Sequence, residues 1–148
     1  MDKVVKELNV VLKGEEMAVQ AYERFIQDLN ESGVRHKFQQ IQQDHKRHSA
    51  DIAARIQDLG GQPNHGTGTV GVISDIKMAI KDTIAYRGDL EILKEAYEGE
   101  DKGIGMVEEI IKGDLDTTSH SLIDGIMTVD HQHLREMAKM ISDHELMQ

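Results

Sequence analysis

Residues 38–59, FQQIQQDHKRHSADIAARIQDL, decide how this chain folds. Phe38, Ile41, Ile52, Ile56 and Leu59 recur at steps of three and four, the signature of one buried helix face. Continued through the middle of the run, the same steps land on His45 and His48. Two residues at i and i+3 project side by side from a helix, so this apolar stripe carries a pair of imidazoles toward whatever it packs on. A helix of this kind needs partners that cover its apolar face and chemistry that tolerates its polar break.

Working outward, the chain divides into four long periodic segments. Helix one is expected from Asp2, a good N-cap, to about Leu29, where Asn30-Glu31-Ser32-Gly33 makes a tight reversal, and helix two from about Val34 to Leu59. The single proline, Pro63, lies in the longest run of turn formers, Gly60 to Gly68, which separates two helical halves. Helix three is expected from Asp89 to Lys112, stopping at Gly113, and Asp114 to Thr118 supply capping oxygens for a fourth helix reaching His144. Turns this short make neighbouring helices antiparallel. Ile73, Ile76, Ile80 and Ile84 place a short amphipathic helix at Val70–Arg87, inside the long connection between helices two and three. The expected fold is therefore all-α, an antiparallel four-helix bundle with one long crossover, forming a single domain over residues 1–148.

Each of the other seams is interrupted once as well. Helix one presents Leu8, Leu12, Glu15, Val19, Tyr22 and Ile26; helix three presents Leu90, Leu93, Tyr97, Glu100, Ile104, Val107 and Ile111. Helix four presents Leu122, Ile126, Asp130, His133, Met137 and Met140. Glu15 and His48 each lie about 14 residues from their shared hairpin turn, which puts them at one level. Glu100 lies about 11 residues before the second turn, and Asp130 and His133 about 12 and 15 after it. A single polar residue on a seam is usually a satisfied core group. Six ionisable groups in one layer are different, because a buried, unpaired carboxylate costs several kcal/mol, and a divalent cation is the economical compensation. The candidate metal ligands are Glu15, His45, His48, Glu100, Asp130 and His133. Tyr22 and Tyr97 read as core aromatics whose hydroxyls meet a nearby carboxylate or water. His36, His65, His120, His131 and His144 read as surface groups.

Composition narrows the chemistry. The 148 residues contain no cysteine, so disulfides, thiolate zinc sites and catalytic thiols are excluded, and any metal must be held by oxygen and imidazole nitrogen. A formal charge of −10, from 27 acidic and 17 basic residues, argues against nucleic acid and anionic lipid as partners. No run approaches the roughly 18 apolar residues of a membrane span, and MDKVVKELNV lacks the apolar core of a secretory signal, so a cytoplasmic location is expected. Three carboxylates and three imidazoles suit Fe, Mn or Zn.

The halves also look like copies of one another. Lys13-Gly14-Glu15-Glu16 aligns with Glu98-Gly99-Glu100-Asp101, and Asp44-His45-Lys46-Arg47-His48 with Val129-Asp130-His131-Gln132-His133. A duplicated hairpin of this kind makes a pseudo-twofold bundle. Gly14 and Gly99 lower helix propensity, which predicts that a small residue is wanted beside the ligand layer.

With these residues in view, the chain resembles the ferritin-like superfamily of di-iron carboxylate proteins, including ferritins, bacterioferritins and rubrerythrins, over nearly its whole length. Gly14-Glu15 followed by Tyr22 is similar to the first-helix element of rubrerythrins and bacterioferritins, and Glu100 occupies the counterpart in the third helix. Asp130-x-x-His133 resembles the E-x-x-H element of the fourth. Leu59-Gly60-Gly61-Gln62-Pro63 and Ile92 to Asp101 are more similar to a bacterial branch known as a domain of unknown function. In the second helix His45-x-x-His48 stands where the family has E-x-x-H, so one bridging carboxylate is missing, and Asp130 is shorter than the Glu usual at the other bridge. Asp44 lies about 100° around the helix from His45 and reaches that position only if helix two rotates.

The resemblance implies a metal-binding protein holding iron (Fe2+/Fe3+), with Mn or Zn as alternatives, and Tyr22 beside the ligands. It further implies oxidation of Fe(II) by dioxygen or peroxide, a role in iron oxidation or oxidative-stress response, and a homodimer. Storage of iron in a shell is not expected, since Glu145-Leu146-Met147-Gln148 offers no fifth helix. The competing reading is a metal-free helical interaction protein whose polar layer is a relic or a register-setting network.

Overall fold

The computed structural model describes residues 2–65 and 88–147, and within them four helices form: α1 (Asp2–Asp28), α2 (Ser32–Asp58), α3 (Asp89–Ile111) and α4 (Thr117–Leu146). Each packs an apolar face inward. Leu8, Leu12, Phe38, Ile52, Ile56, Ile92, Leu93, Ile123 and Met137 are entirely buried, and each such side chain contributes about 1.5–3 kcal/mol by leaving water. α1 pairs with α2 and α3 with α4; across the hairpins α1 lies beside α3 and α2 beside α4.

Polar contacts between element ends fix the directions. Asp89, the first residue of α3, accepts the backbone N–H groups of Asn30 (2.9 Å) and Glu31 (2.8 Å) in the α1–α2 turn. At the opposite end Lys3 reaches Asp114, just beyond α3, at 3.5 Å. α1 and α3 are therefore antiparallel, as are α2 and α4, where Arg55 near the end of α2 binds the start of α4. The end of α2 and the start of α3 consequently lie at opposite ends of the bundle, the up-down-down-up order of a bundle with one long crossover. The amphipathic helix expected at Val70–Arg87 lies outside the described residues.

Helix boundaries fall within two residues of expectation, and the differences have local causes. Asp2 is the first helical residue of α1, where its carboxylate favours the positive end of the helix dipole. α2 closes with a Schellman pair, Gly61 N–H to Ile56 C=O and Gly60 N–H to Gln57 C=O, both 2.9 Å. Gly60 takes φ +81°, and a Cβ on Gly61 would sit 2.7 Å from Val5 Cγ1, so both positions of this turn require glycine.

α4 is capped by Asp116, whose carboxylate accepts Ser119 N–H at 3.1 Å and Arg55 Nη2 at 2.6 Å. Arg55 Nε also donates to Ser119 Oγ at 2.9 Å, which ties α2 to the cap. Asp116→Ala is expected to cost about 1–2 kcal/mol, read as a lower urea midpoint at unchanged m-value. Asp116→Asn should recover most of it, because the amide oxygen still caps.

The buried faces are broader than single seams. Phe25, Ala96 and Ile123 are buried where Ile26, Tyr97 and Leu122 are expected, and Val19, Leu59, Val107, Ile111 and Met140 are also only half-buried. The three exchanges are each one residue, or about 100°, around the helix. The glycine expectation is overturned: a Cβ built on Gly14 or Gly99 meets nothing within 4 Å, so no neighbour among the described residues demands a small residue there.

Candidate metal centre

All four helices deliver ionisable groups to one buried level. Glu15 comes from α1, His45 and His48 from α2, Glu100 from α3, and Asp130 and His133 from α4, and none is more than 7% exposed. Toward the α1–α2 turn the layer is closed by Tyr22, Phe25, Phe38 and Met137, with the ring centres of Tyr22 and Phe38 5.3 Å apart. The next seam residues on the other side are Leu12, Ile52, Ile104 and Ile126, all buried. Water is kept out from both directions, so every charge in the layer acts at reduced dielectric.

His45 is the hub. Its Nδ1 lies 2.5 Å from Glu15 Oε2, and its Nε2 is hydrogen-bonded to Glu100 Oε1. The Tyr22 hydroxyl donates to the same Glu100 oxygen at 2.9 Å, and the Tyr22 ring stacks on the imidazole with centroids 5.6 Å apart. Glu100 Oε2 is thereby turned toward His133, whose Nδ1 is 3.5 Å away. His133 Nε2 lies 2.8 Å from Asp44 Oδ2. A carboxylate on one ring nitrogen selects the tautomer protonated there and leaves the other nitrogen as a lone pair facing the layer.

Three atoms in the layer are buried and lack any hydrogen-bond partner: His48 Nδ1, Asp130 Oδ1 and His133 Nδ1. They face one another across short gaps, Asp130 Oδ1 lying 3.8 Å from His48 Nδ1 and 3.6 Å from His133 Nδ1. Leaving one buried polar atom unpaired costs about 1–3 kcal/mol, and three such atoms converging on a common region form an arrangement that a cation would satisfy. Among the described residues, two groups have donor atoms all within 4.8 Å of one another: Glu15, His45, His48 and Asp130; and His45, Glu100, Asp130 and His133. The six residues expected from the seams are the members of these two groups. Their oxygen and imidazole donors fit iron, manganese or zinc.

The electrostatics of the metal-free layer are uneven. Burial alone would raise Glu100, but the charge and hydrogen bond of His45, together with the nearby His133 ring, bring it down to about 2. Glu15 is also lowered, burial being outweighed by its contacts with His45 and His48. Burial opposes charge on His45, yet Glu100 and Glu15 on either side hold its imidazolium well above the ordinary histidine range. His133 is raised as well, burial being outweighed by Glu100 and Asp44. Asp130 is the exception: burial, followed by the charges of Glu15 and Glu100, pushes it up to about 7. Tyr22, buried and bonded to Glu100, is raised well above 10 and stays a neutral donor.

Asp44 is the contributor that seam reasoning missed. It lies beside the layer without α2 having to rotate, holding His133 from the half-exposed side while also pairing with Arg47. A surface cavity of about 400 Å³ between α2 and α4, lined by Asp44, His133, Gln40, Gln132 and the 2.7 Å Lys37–Glu136 pair, opens beside the layer there. Gln42 is a second buried polar residue missed by the seams; it donates to Val19 C=O and Glu23 Oε2, at 3.0 and 2.9 Å. Tyr97 is half-buried and belongs to neither ligand group. His36, His65, His120 and His131 are exposed as expected, whereas His144 is half-buried and pairs with Glu31 at 3.0 Å.

Residues 3–113 match the family model described as Domain of unknown function (DUF2383). A comparison with curated proteins finds no match. Solved structures share the fold. A two-domain protein from Anabaena variabilis with DJ-1/ThiJ/PfpI-like and ferritin-like domains matches at TM-score 0.79 and 17% identity over 95% of this chain, which spans 39% of that protein's length. A dodecameric thioferritin, the bacterioferritin-related protein of Bacteroides fragilis, matches at TM-score 0.81 and 18% identity, covering 99% of this chain and 88% of that one. Rhodobacter capsulatus bacterioferritin, solved with a metal-free dinuclear site and haem iron, matches at TM-score 0.80 and 22% identity, covering 100% and 89%. The fold is ferritin-like.

Proposed function

The chain belongs to the DUF2383 family, and we propose that it is a ferritin-like metal-binding protein whose buried carboxylate and imidazole layer holds iron. The observation carrying this reading is the convergence of three unpartnered buried atoms, on His48, Asp130 and His133, inside two overlapping groups of ligand-type residues. The di-iron carboxylate character named for the ferritin-like proteins of Bacillus anthracis, which match this chain at TM-score 0.71 and 18% identity, supports iron over manganese or zinc. Glu15, His45, His48, Glu100, Asp130 and His133 would be the ligands. Bound iron would supply a redox centre for oxidising Fe(II) with dioxygen or peroxide.

The residues of the chain have definable tasks in that setting. Glu15, Glu100 and Asp130 supply the negative charge that offsets a cation out of water. Asp44 orients His133 from outside the layer. Tyr22 keeps one oxygen of Glu100 engaged, which directs the other toward the centre. The apolar residues on either side exclude bulk water and hold the ligands in place.

Metal analysis of untagged protein followed by anaerobic titration with Fe(II) tests the reading. Saturable binding of iron is expected, lost in the Glu15→Ala, Glu100→Ala double variant while the helical circular dichroism is retained. Absence of Fe(II) binding at every stoichiometry would overturn it. One observation favours a second reading, a metal-free helical interaction protein: the His45 imidazolium already joins Glu15 and Glu100, so part of the layer is satisfied without metal. That reading requires the titration to fail.

A further inference from the structure

His45 belongs to both ligand groups, and it meets them through opposite edges of its ring. Nδ1 faces Glu15, which belongs with His48; Nε2 faces Glu100, which belongs with His133. An imidazole nitrogen has one lone pair and serves one metal ion, so a ring shared between two ion sites serves them by using both nitrogens. We propose that His45 bridges two metal ions as an imidazolate, an inference that rests on the metal-binding reading above.

The internal repeat supports this arrangement. Glu15 and His48 come from the first half and Glu100 and His133 from the second, so each half supplies a carboxylate and an imidazole to its own ion. His45 and Asp130 occupy equivalent positions in the two halves, and they are the two residues common to both groups. The shared positions lie between the ions, one filled by an imidazole and the other by a carboxylate. Asp130 Oδ1 stands between His48 and His133 accordingly.

Charge gives an independent reason. Two divalent cations bring four positive charges into a layer closed by apolar residues, and Glu15, Glu100 and Asp130 supply three negative ones. An imidazolate supplies the fourth, whereas neutral imidazole leaves an uncompensated buried charge. With both ring nitrogens on carboxylates, His45 starts with two N–H bonds. Both break as two metal–nitrogen bonds form, two protons pass to solvent, and no electron is transferred.

Crystals soaked anaerobically in Fe(II), with the ions located by anomalous diffraction, measure the bridge directly, and metal analysis of the same protein gives the stoichiometry. Two ions are expected on opposite edges of the His45 ring, about 6 Å apart, the sum of two metal–nitrogen bonds near 2 Å and the ring between them. In His45→Glu a carboxylate takes the shared position, and the separation is expected to shorten to about 3.5–4 Å. A short separation in the wild-type protein, or a single ion with His45 bound through one nitrogen, would overturn the bridge and leave metal binding standing. Failure of wild-type protein to take up any iron would overturn both. If circular dichroism shows that His45→Glu does not fold, the wild-type separation alone decides.

Discussion

Replacing Glu100 by alanine is expected to destabilise the metal-free protein by about 3–5 kcal/mol, the usual cost of stripping one partner from a buried charge cluster. At neutral pH Glu100 is the carboxylate with the most contacts in the layer: His45, His133 and the Tyr22 hydroxyl all meet it. Its loss leaves His45 with Glu15 alone, removes a charge from beside His133, and leaves the buried Tyr22 hydroxyl with only its weak 3.9 Å contact to Met137 Sδ. One response offsets part of the damage. Asp130 is held up to about 7 partly by the charge of Glu100, so in the variant it ionises more readily and returns some negative charge to the layer.

Thermal unfolding in the presence of a chelator should therefore show a midpoint lower by roughly 10 °C. Glu100→Gln keeps acceptors for Tyr22 and His45 without the charge and should fall between wild type and alanine. A loss below about 1 kcal/mol in Glu100→Ala, a range typical of exposed pairs, would show that these charges are solvated and that the layer is not the closed electrostatic unit described above.

The second large effect is the pH dependence of the metal-free protein. Asp130 is raised from its ordinary 3.8 to about 7, so its contribution is complete below about pH 4 and is lost as pH rises through 7. His45 and His133 are raised above 6.5, and their contributions are complete below that value and lost as pH rises through their folded-state values. Glu15 and Glu100 are lowered, so theirs is present above about 4.5 and lost only in strong acid, for Glu100 as pH falls through about 2. The metal-free protein should be most stable near pH 4–5. Above that, stability should decline by about 1.4 kcal/mol per pH unit for each proton the folded state retains.

Urea midpoints from pH 5 to 8 in chelator measure the slope, and Asp130→Asn should flatten it between pH 5 and 7. Iron should reverse the trend, because cations compete with protons for the same atoms. A metal-free protein that gains stability from pH 5 to 8 would contradict the assignment of raised values to Asp130 and His45.

Much of this molecule was legible from local pattern. The three-and-four spacing of apolar residues marked the four long helices, the hairpin turns, and the level at which each seam is interrupted; counting residues from those turns brought together the six members of the ligand groups. Periodicity repeats every turn of helix, so it survives small errors in the assumed rotation of each element.

What the pattern left open depends on that rotation and on which helices become neighbours. Asp44, 100° off the α2 stripe, meets His133 because α2 packs beside α4, and no single segment encodes that adjacency. Tyr22 meets Glu100 because α1 packs beside α3. The central place of His45 emerged only when all four helices closed around it, since a position between two carboxylates is a property of the assembled layer. Sequence alone determined which residues are inward and at what level; tertiary packing decided which of them touch, because contact across a bundle is set by the mutual rotation of helices distant along the chain.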